Sequence, residues 1–179
     1  MLNCKISAGV SATCETSIGG ILKLAFANFS DTDPISSYTQ SSGDCYIDTI
    51  TLLNSGKVYE VDFLDGTGLA EVELNVGDSR DKKNFTHRVT LNFAKLDCNM
   101  LEQYKNWSLA HLVAFVMTKD GNVYVFGKDT GLAATTFNYT SGSAETDSSL
   151  VNAVFEGVQL DAPLKVRDWS VVSTLFPNE

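Results

Sequence analysis

Phe85, His87, Val89, Leu91 and Phe93 alternate with Thr86, Arg88, Thr90 and Asn92. A helix would scatter this pattern round its circumference, whereas a strand sends successive side chains to opposite faces. Residues 85–93 are therefore expected to be a strand with one apolar face, which a second layer must cover. The same two-residue period sets Ala70, Val72, Leu74 and Val76 against Glu71, Glu73 and Asn75. Residues 109–118 are an almost unbroken apolar run, as in a central strand, and Asp120-Gly121 then favours a tight hairpin returning through Val123 to Phe126. Further strands are expected at 21–27, 46–52, 132–139 and 150–160. Asn54-Ser55-Gly56 reads as a turn, residues 30–44 and 140–149 as polar loops, and Pro163 as the end of the last strand.

One segment departs from this period. Met100, Leu101, Tyr104 and Trp107 share a helical face over 97–108, with Glu102, Gln103, Lys105 and Asn106 on the other and Asp97 placed to cap the first turn. Met100, Leu101 and Tyr104 are expected to be buried against a sheet. Strands, one helix and strands again, with no internal repeat, predict a mostly β fold: an antiparallel β-sandwich or open barrel with one flanking α-helix. Its expected limits are 19–168. Residues 1–18, rich in Ser, Thr, Ala and Cys, precede it as an arm or cap. Residues 169–179 follow as a tail whose Val172, Leu175 and Phe176 are candidates for subunit contact.

At 179 residues the chain fits one domain able to bury about 70% of its unfolded surface, so no staple is needed. The longest apolar run is about half of what a membrane-crossing helix requires. Met1 to Lys5 lacks the apolar stretch of a secretory signal, which makes cytoplasmic synthesis and folding the expectation. Cys4, Cys14, Cys45 and Cys98 match no zinc or redox spacing and are expected to be reduced and structural. A net charge of −9 opposes a grip on phosphates. It fits ordinary solubility, and also a surface past which nucleic acid slides without sticking.

The residues that could carry chemistry do not converge in the sequence. His87 lies on an apolar strand face and His111 opens a buried run, so both are expected as core or interface imidazoles. A Cys–His nucleophile would need Cys45 or Cys98 to meet a histidine in the fold, and a small buried thiol is the simpler reading. Gly127, Gly131 and Gly142 lack the spacing of a phosphate cradle and read as turn residues. Asp62, Asp65, Glu71 and Glu73 lack the spacing of a calcium loop and read as a solvated acidic face. No enzyme activity, cofactor or metal is expected.

From the helix onward the chain carries Asp120-Gly121-Asn122, Val125 to Leu132, Thr140 to Ala144 with Asp147, and Phe155-Glu156-Gly157 ahead of Pro163. Across residues 19–166 it resembles the tail-tube and head-to-tail ring proteins of tailed bacteriophages of Bacteroides-type hosts. The resemblance implies a β-sandwich assembled edge to edge into a homo-oligomeric ring, usually of six subunits, together with other virion tail or neck proteins. DNA would pass through the channel without specific binding, and no membrane is involved. The protein would belong to the virion and assemble in the bacterial host cytoplasm. On that reading Asp62, Asp65, Glu71 and Glu73 are candidates to face the channel, and Arg80, Asp81, Lys82, Lys83, Val172, Leu175 and Phe176 to touch a neighbour. The segment 77–84 or the loop 30–44 would be the hairpin projecting onto the next ring. The alternative is a ligand- or glycan-binding β-sandwich without catalysis.

Overall fold

The computed structural model describes residues 18–40, 46–77, 83–94, 98–141 and 149–177. In chain order they form β1 (Ile21–Asn28), β2 (Tyr38–Gln40), β3 (Tyr46–Ile50), β4 (Val58–Glu60), β5 (Leu69–Val76), β6 (Lys83–Phe93), α1 (Cys98–Leu109), β7 (His111–Thr118), β8 (Val123–Phe126), β9 (Leu132–Thr140), β10 (Leu150–Gln159), β11 (Leu164–Val166) and α2 (Trp169–Ser173). The sheet runs β2-β3-β11-β8-β7-β9-β10-β6-β5, with β1 paired to β7 and β4. Its pairings are antiparallel except β11 with β3. The fold is mostly β with one principal flanking helix, as the alternation requires.

β7 holds the architecture together because it changes partner along its length. Ala114 to Met117 pair with β8, while His111 and Leu112 pair with Ala133 and Leu132 of β9; β1 occupies the other edge. One core gathers Leu24 and Phe26 of β1 and Leu112, Ala114 and Val116 of β7 against Val89, Leu91, Val151, Ala153 and Phe155 of β6 and β10. A second core takes the alternate residues, Ala25, Ala27, Val113 and Phe115, and joins them to Ile47, Val58, Val125, Val166, Trp169 and Val172. Burial on both faces explains why β7 is apolar throughout, without the alternation of a half-wet strand.

The change of partner is made by the turn from β8 to β9. Gly127 and Gly131 have φ of 79° and 77°, the left-handed region that glycine adopts without strain. The turn lies so close to β10 that a Cβ on Gly157 would sit 2.2 Å from the Gly131 carbonyl oxygen. Beneath it, the fully buried Gln159 uses both ends of its amide. Oε1 accepts from the Asp129 and Thr130 N–H groups at 2.8 and 3.2 Å, and Nε2 donates to Thr130 Oγ1 and the Gly131 carbonyl at 2.8 and 3.0 Å. Asp129 in turn accepts from the Leu160 and Asp161 N–H groups. A buried amide is costly unless paired, and here every site is used.

Several expectations are corrected. The helix occupies Cys98–Leu109, one residue later than predicted at its end, and Asp97 lies outside the described residues. Met100 and Trp107 pack on the first core, whereas Leu101 and Tyr104 are exposed. The helix docks through its far end, where the Trp107 ring lies 5.7–6.1 Å from Phe155, Phe93 and Phe26; Tyr104 only lies along Phe137 at the surface. His111 is exposed, because it opens β7 before the buried run starts. The loop predicted at 30–44 contains β2, and a further strand, β11, follows Pro163.

The residues expected as a tail open with α2 and pack on the second core. Asp168 caps α2 by accepting from the Ser170 N–H at 3.2 Å, Val172 is fully buried, and Leu175 and Phe176 are packed against the second core. Val172 is thus taken up by its own chain, while Leu175 and Phe176 lie half-buried against the second core with part of each side chain at the surface. Removing 169–177 would uncover the second core, so folding and not assembly would suffer first. Val172→Ala should cost roughly 2 kcal/mol, from two buried methylene equivalents plus a cavity. Gly157→Ala should cost at least about 1–3 kcal/mol, because it forces a methyl into the Gly131 carbonyl. Gly19→Ala, with open space around its Cα, should change stability by less than about 0.5 kcal/mol. Urea unfolding of the three variants measures this order directly.

Candidate functional site

The feature of the surface that burial does not explain is β5. It ends the sheet path and, among the described residues, pairs with β6 alone, in register from Leu69↔Thr90 to Val76↔Lys83. Half of its backbone N–H and C=O groups therefore point away from β6, a row that another strand can satisfy. Opposed residues share a face, so Ala70, Val72 and Leu74 lie with Val89, His87 and Phe85 of β6, and with Phe155, Gly157 and Gln159 of β10. Ala70 reaches the first core. Beyond it the layer runs out, and Val72, Leu74 and Val76 are 40, 51 and 60% exposed. The alternation predicted one buried face here; the strand's position as the last in the sheet leaves both faces open.

The other face of β5 is acidic and tied to one cation. Arg88 Nε donates to Glu156 at 2.8 Å and Nη1 lies 3.7 Å from Glu71. The hydrogen bond that Arg88 donates to Glu156, followed by the charge of that carboxylate, raises the Arg88 pKa further. Glu73 lines the same shallow depression with Glu71, Thr86 and Arg88, and Asn75 donates to Thr86 Oγ1 at 2.6 Å. Asp62 and Asp65 do not join this group. They line a separate depression with Lys23, Glu60 and Lys119, where Lys119 lies 3.0 Å from Asp65 and holds its carboxyl below the ordinary carboxylate value. The four acidic candidates thus divide into two pairs, each beside a cation. Of the charged candidates for subunit contact, Lys83 opens β6 and is exposed; Arg80, Asp81 and Lys82 lie outside the described residues, as does most of the segment 77–84.

A third surface is a depression of about 730 Å³ between β1, β4 and α1, lined by Tyr59, Glu60, Asp62, Gln103, Asn106 and Trp107 among others. Its polar rim and aromatic floor resemble a small-molecule site in composition. The Trp107 ring, however, is taken up by Phe26, Phe93 and Phe155, which leaves Tyr59 as the well-exposed aromatic in this lining.

His87 is buried and bonded on both ring nitrogens. Nδ1 accepts from the Gly127 N–H at 3.3 Å and Nε2 lies 3.1 Å from the Asp161 carbonyl, which it reaches as a donor in the neutral ring. The first of these bonds comes from the β8–β9 turn. Among the described residues no group of three or more His, Cys, Asp or Glu side chains is arranged to hold a metal ion. No described helix is long and apolar enough to cross a membrane. No protein-family profile, curated protein or solved structure matches this chain.

Burial lowers the His87 pKa, so the folded chain binds this proton less readily than the unfolded chain. The stability tied to neutral His87 is complete above the unfolded value of about 6.5 and is lost as the pH falls below it toward the folded value. Asp33 and Asp65, whose carboxyls are also held low, act in a more acidic range. Thermal melts should therefore fall more steeply between about pH 7 and 5 for the natural chain than for His87→Gln, which cannot titrate there. Parallel curves would contradict the buried neutral imidazole.

Proposed function

We propose that the chain is a structural subunit of a phage virion, a component of the tail tube or the head–tail neck that assembles with copies of itself into a ring around a DNA channel. One observation carries the reading: an eight-residue strand ends the sheet with its backbone open, and exposes Val72, Leu74 and Val76 beside it. Monomeric proteins guard long flat edges with bulges, prolines or inward charges. β5 has no proline, pairs with β6 without a register shift, and keeps its charges on one face. Such an edge is suited to a partner strand. The acidic balance of the chain fits a channel wall that DNA passes without adhering, with Asp62, Asp65, Glu71 and Glu73 toward the lumen. No catalytic step is part of this function.

The depression beside Tyr59 favours a second reading, a ligand- or glycan-binding module. Stacking on a sugar needs an accessible aromatic face, and Trp107 is already covered, so this reading has one ring to stand on. Light scattering on the purified chain separates the two. Mass rising with concentration to a closed multimer, seen as rings by negative-stain microscopy, is the expected result. A chain that stays monomeric at millimolar concentration, and that binds oligosaccharide in a manner abolished by Tyr59→Ala, would reverse the order.

A further inference from the structure

The open edge of β5 carries its apolar and charged residues in an order that can be set against itself. Outward-pointing backbone groups fall on alternate residues, and directly opposed residues share a face. Two antiparallel copies of β5 therefore fit only in registers that oppose even positions to even ones and odd to odd. What separates these registers is charge. Centred on Val72, the pairing sets Glu71 against Glu73; centred on Glu71 or Glu73, it sets that carboxylate against its own copy. Like charges directly opposed are unfavourable. Centred on Leu74, it sets Leu74 against Leu74, Val72 against Val76, Glu73 against Asn75 and Glu71 against Gly77, and no carboxylate meets another. One step further, centred on Asn75, Val72 loses its apolar partner.

We infer that β5 pairs antiparallel with β5 of a second copy, about a two-fold axis at Leu74. This deepens the assembly reading above, from which it takes only that copies meet at this edge. A single chain cannot make the pairing, because it has one β5. Exposure of the apolar face rises from 40% at Val72 to 60% at Val76, so the register that avoids like charge also covers the residues their own chain covers least. Phe85, half-buried opposite Leu74 on β6, backs the contact in each copy. The polar face fits as well. Asn75 donates one amide hydrogen to Thr86 Oγ1 at 2.6 Å and has a second for Glu73 of the partner subunit, while Glu71 keeps Arg88 at 3.7 Å. A two-fold contact uses the same patch on both copies, so it makes pairs and does not close a ring alone. A ring that contains it holds an even number of copies and closes through a second, different contact.

The test uses the full chain with Cys4, Cys14, Cys45 and Cys98 changed to Ser. Leu74→Cys then places one thiol on each side of the axis, and mild oxidation should convert most of the protein to covalent dimers on a non-reducing gel. Val72→Cys and Val76→Cys should each link little alone and link readily when the two variants are mixed, because each faces the other. In the natural chain, Leu74→Glu should raise the dissociation constant of the pair roughly tenfold or more, since it opposes two carboxylates at the axis. Leu74 is half-exposed in the single subunit, so the melting temperature of the monomer should hardly move. Equal linking of all three single variants, or linking of none while multimers still form, would overturn the inference and leave the assembly reading standing. Outward β5 amides protected from exchange in the monomer would show the edge covered by its own chain, and would overturn it too. Mass that stops at the linked dimer would support this contact and remove the ring; a chain monomeric at every concentration would remove both.

Discussion

The buried amide of Gln159 ties the β8–β9 turn to β10, and the course of the sheet from β8 through β7 to β9 and β10 depends on that tie. β7 can change partner from β8 to β9 only because the chain makes a sharp left-handed passage at Gly127 and Gly131. Such a turn exposes its own N–H and C=O groups to the interior. Gln159 receives two of its N–H groups and donates to its carbonyl, Asp129 caps the start of the β10–β11 connection, and His87 takes the Gly127 N–H. Four separate parts of the chain meet there. Replacing Gln159 or His87 leaves polar groups of the turn without partners, at a cost of about 1–3 kcal/mol for each one buried.

The same arrangement decides where the molecule is closed and where it is open. The second core is sealed by α2 and the residues after it, with Trp169 lying against Phe176, and the end of the first core is sealed by Trp107 of α1. β5 receives no such cover. Its apolar residues continue the face of the first core beyond the cover that Ala70 receives, so what is core at Ala70 becomes surface at Leu74 and Val76. Adding a strand there would extend both the hydrogen-bonded ladder and the core. It would leave Glu71 and Glu73 on the far side, beside Arg88.

The long elements were legible in the sequence because they repeat a period often enough to exclude the alternative. β6 and β10 alternate over about ten residues, and α1 keeps its period from Met100 to Trp107. β2, β4 and β11 have three residues each, too few to show a period. Alternation also says nothing of a strand's place in the sheet, which is why β5 was expected to bury one face. Val172, Leu175 and Phe176 read as a sticky tail because the surface they cover is assembled from β1, β3, β4 and β7, far away in sequence. Gln159, Gly157 and Asp129 gave no sign of the bonding they take part in. A single glutamine inside a strand becomes a structural centre only when a turn about thirty residues earlier folds onto it.

Amide hydrogen exchange along β5 tests the central claim most directly, since it reads the N–H groups of the edge itself. In assembled protein the outward-pointing amides of Leu69–Val76 should exchange far more slowly than in the same chain diluted to monomer, while β7 stays protected in both. If those outward amides exchange equally fast in the assembled and the dissociated states, β5 does not receive a strand, and the account of assembly through this edge is wrong.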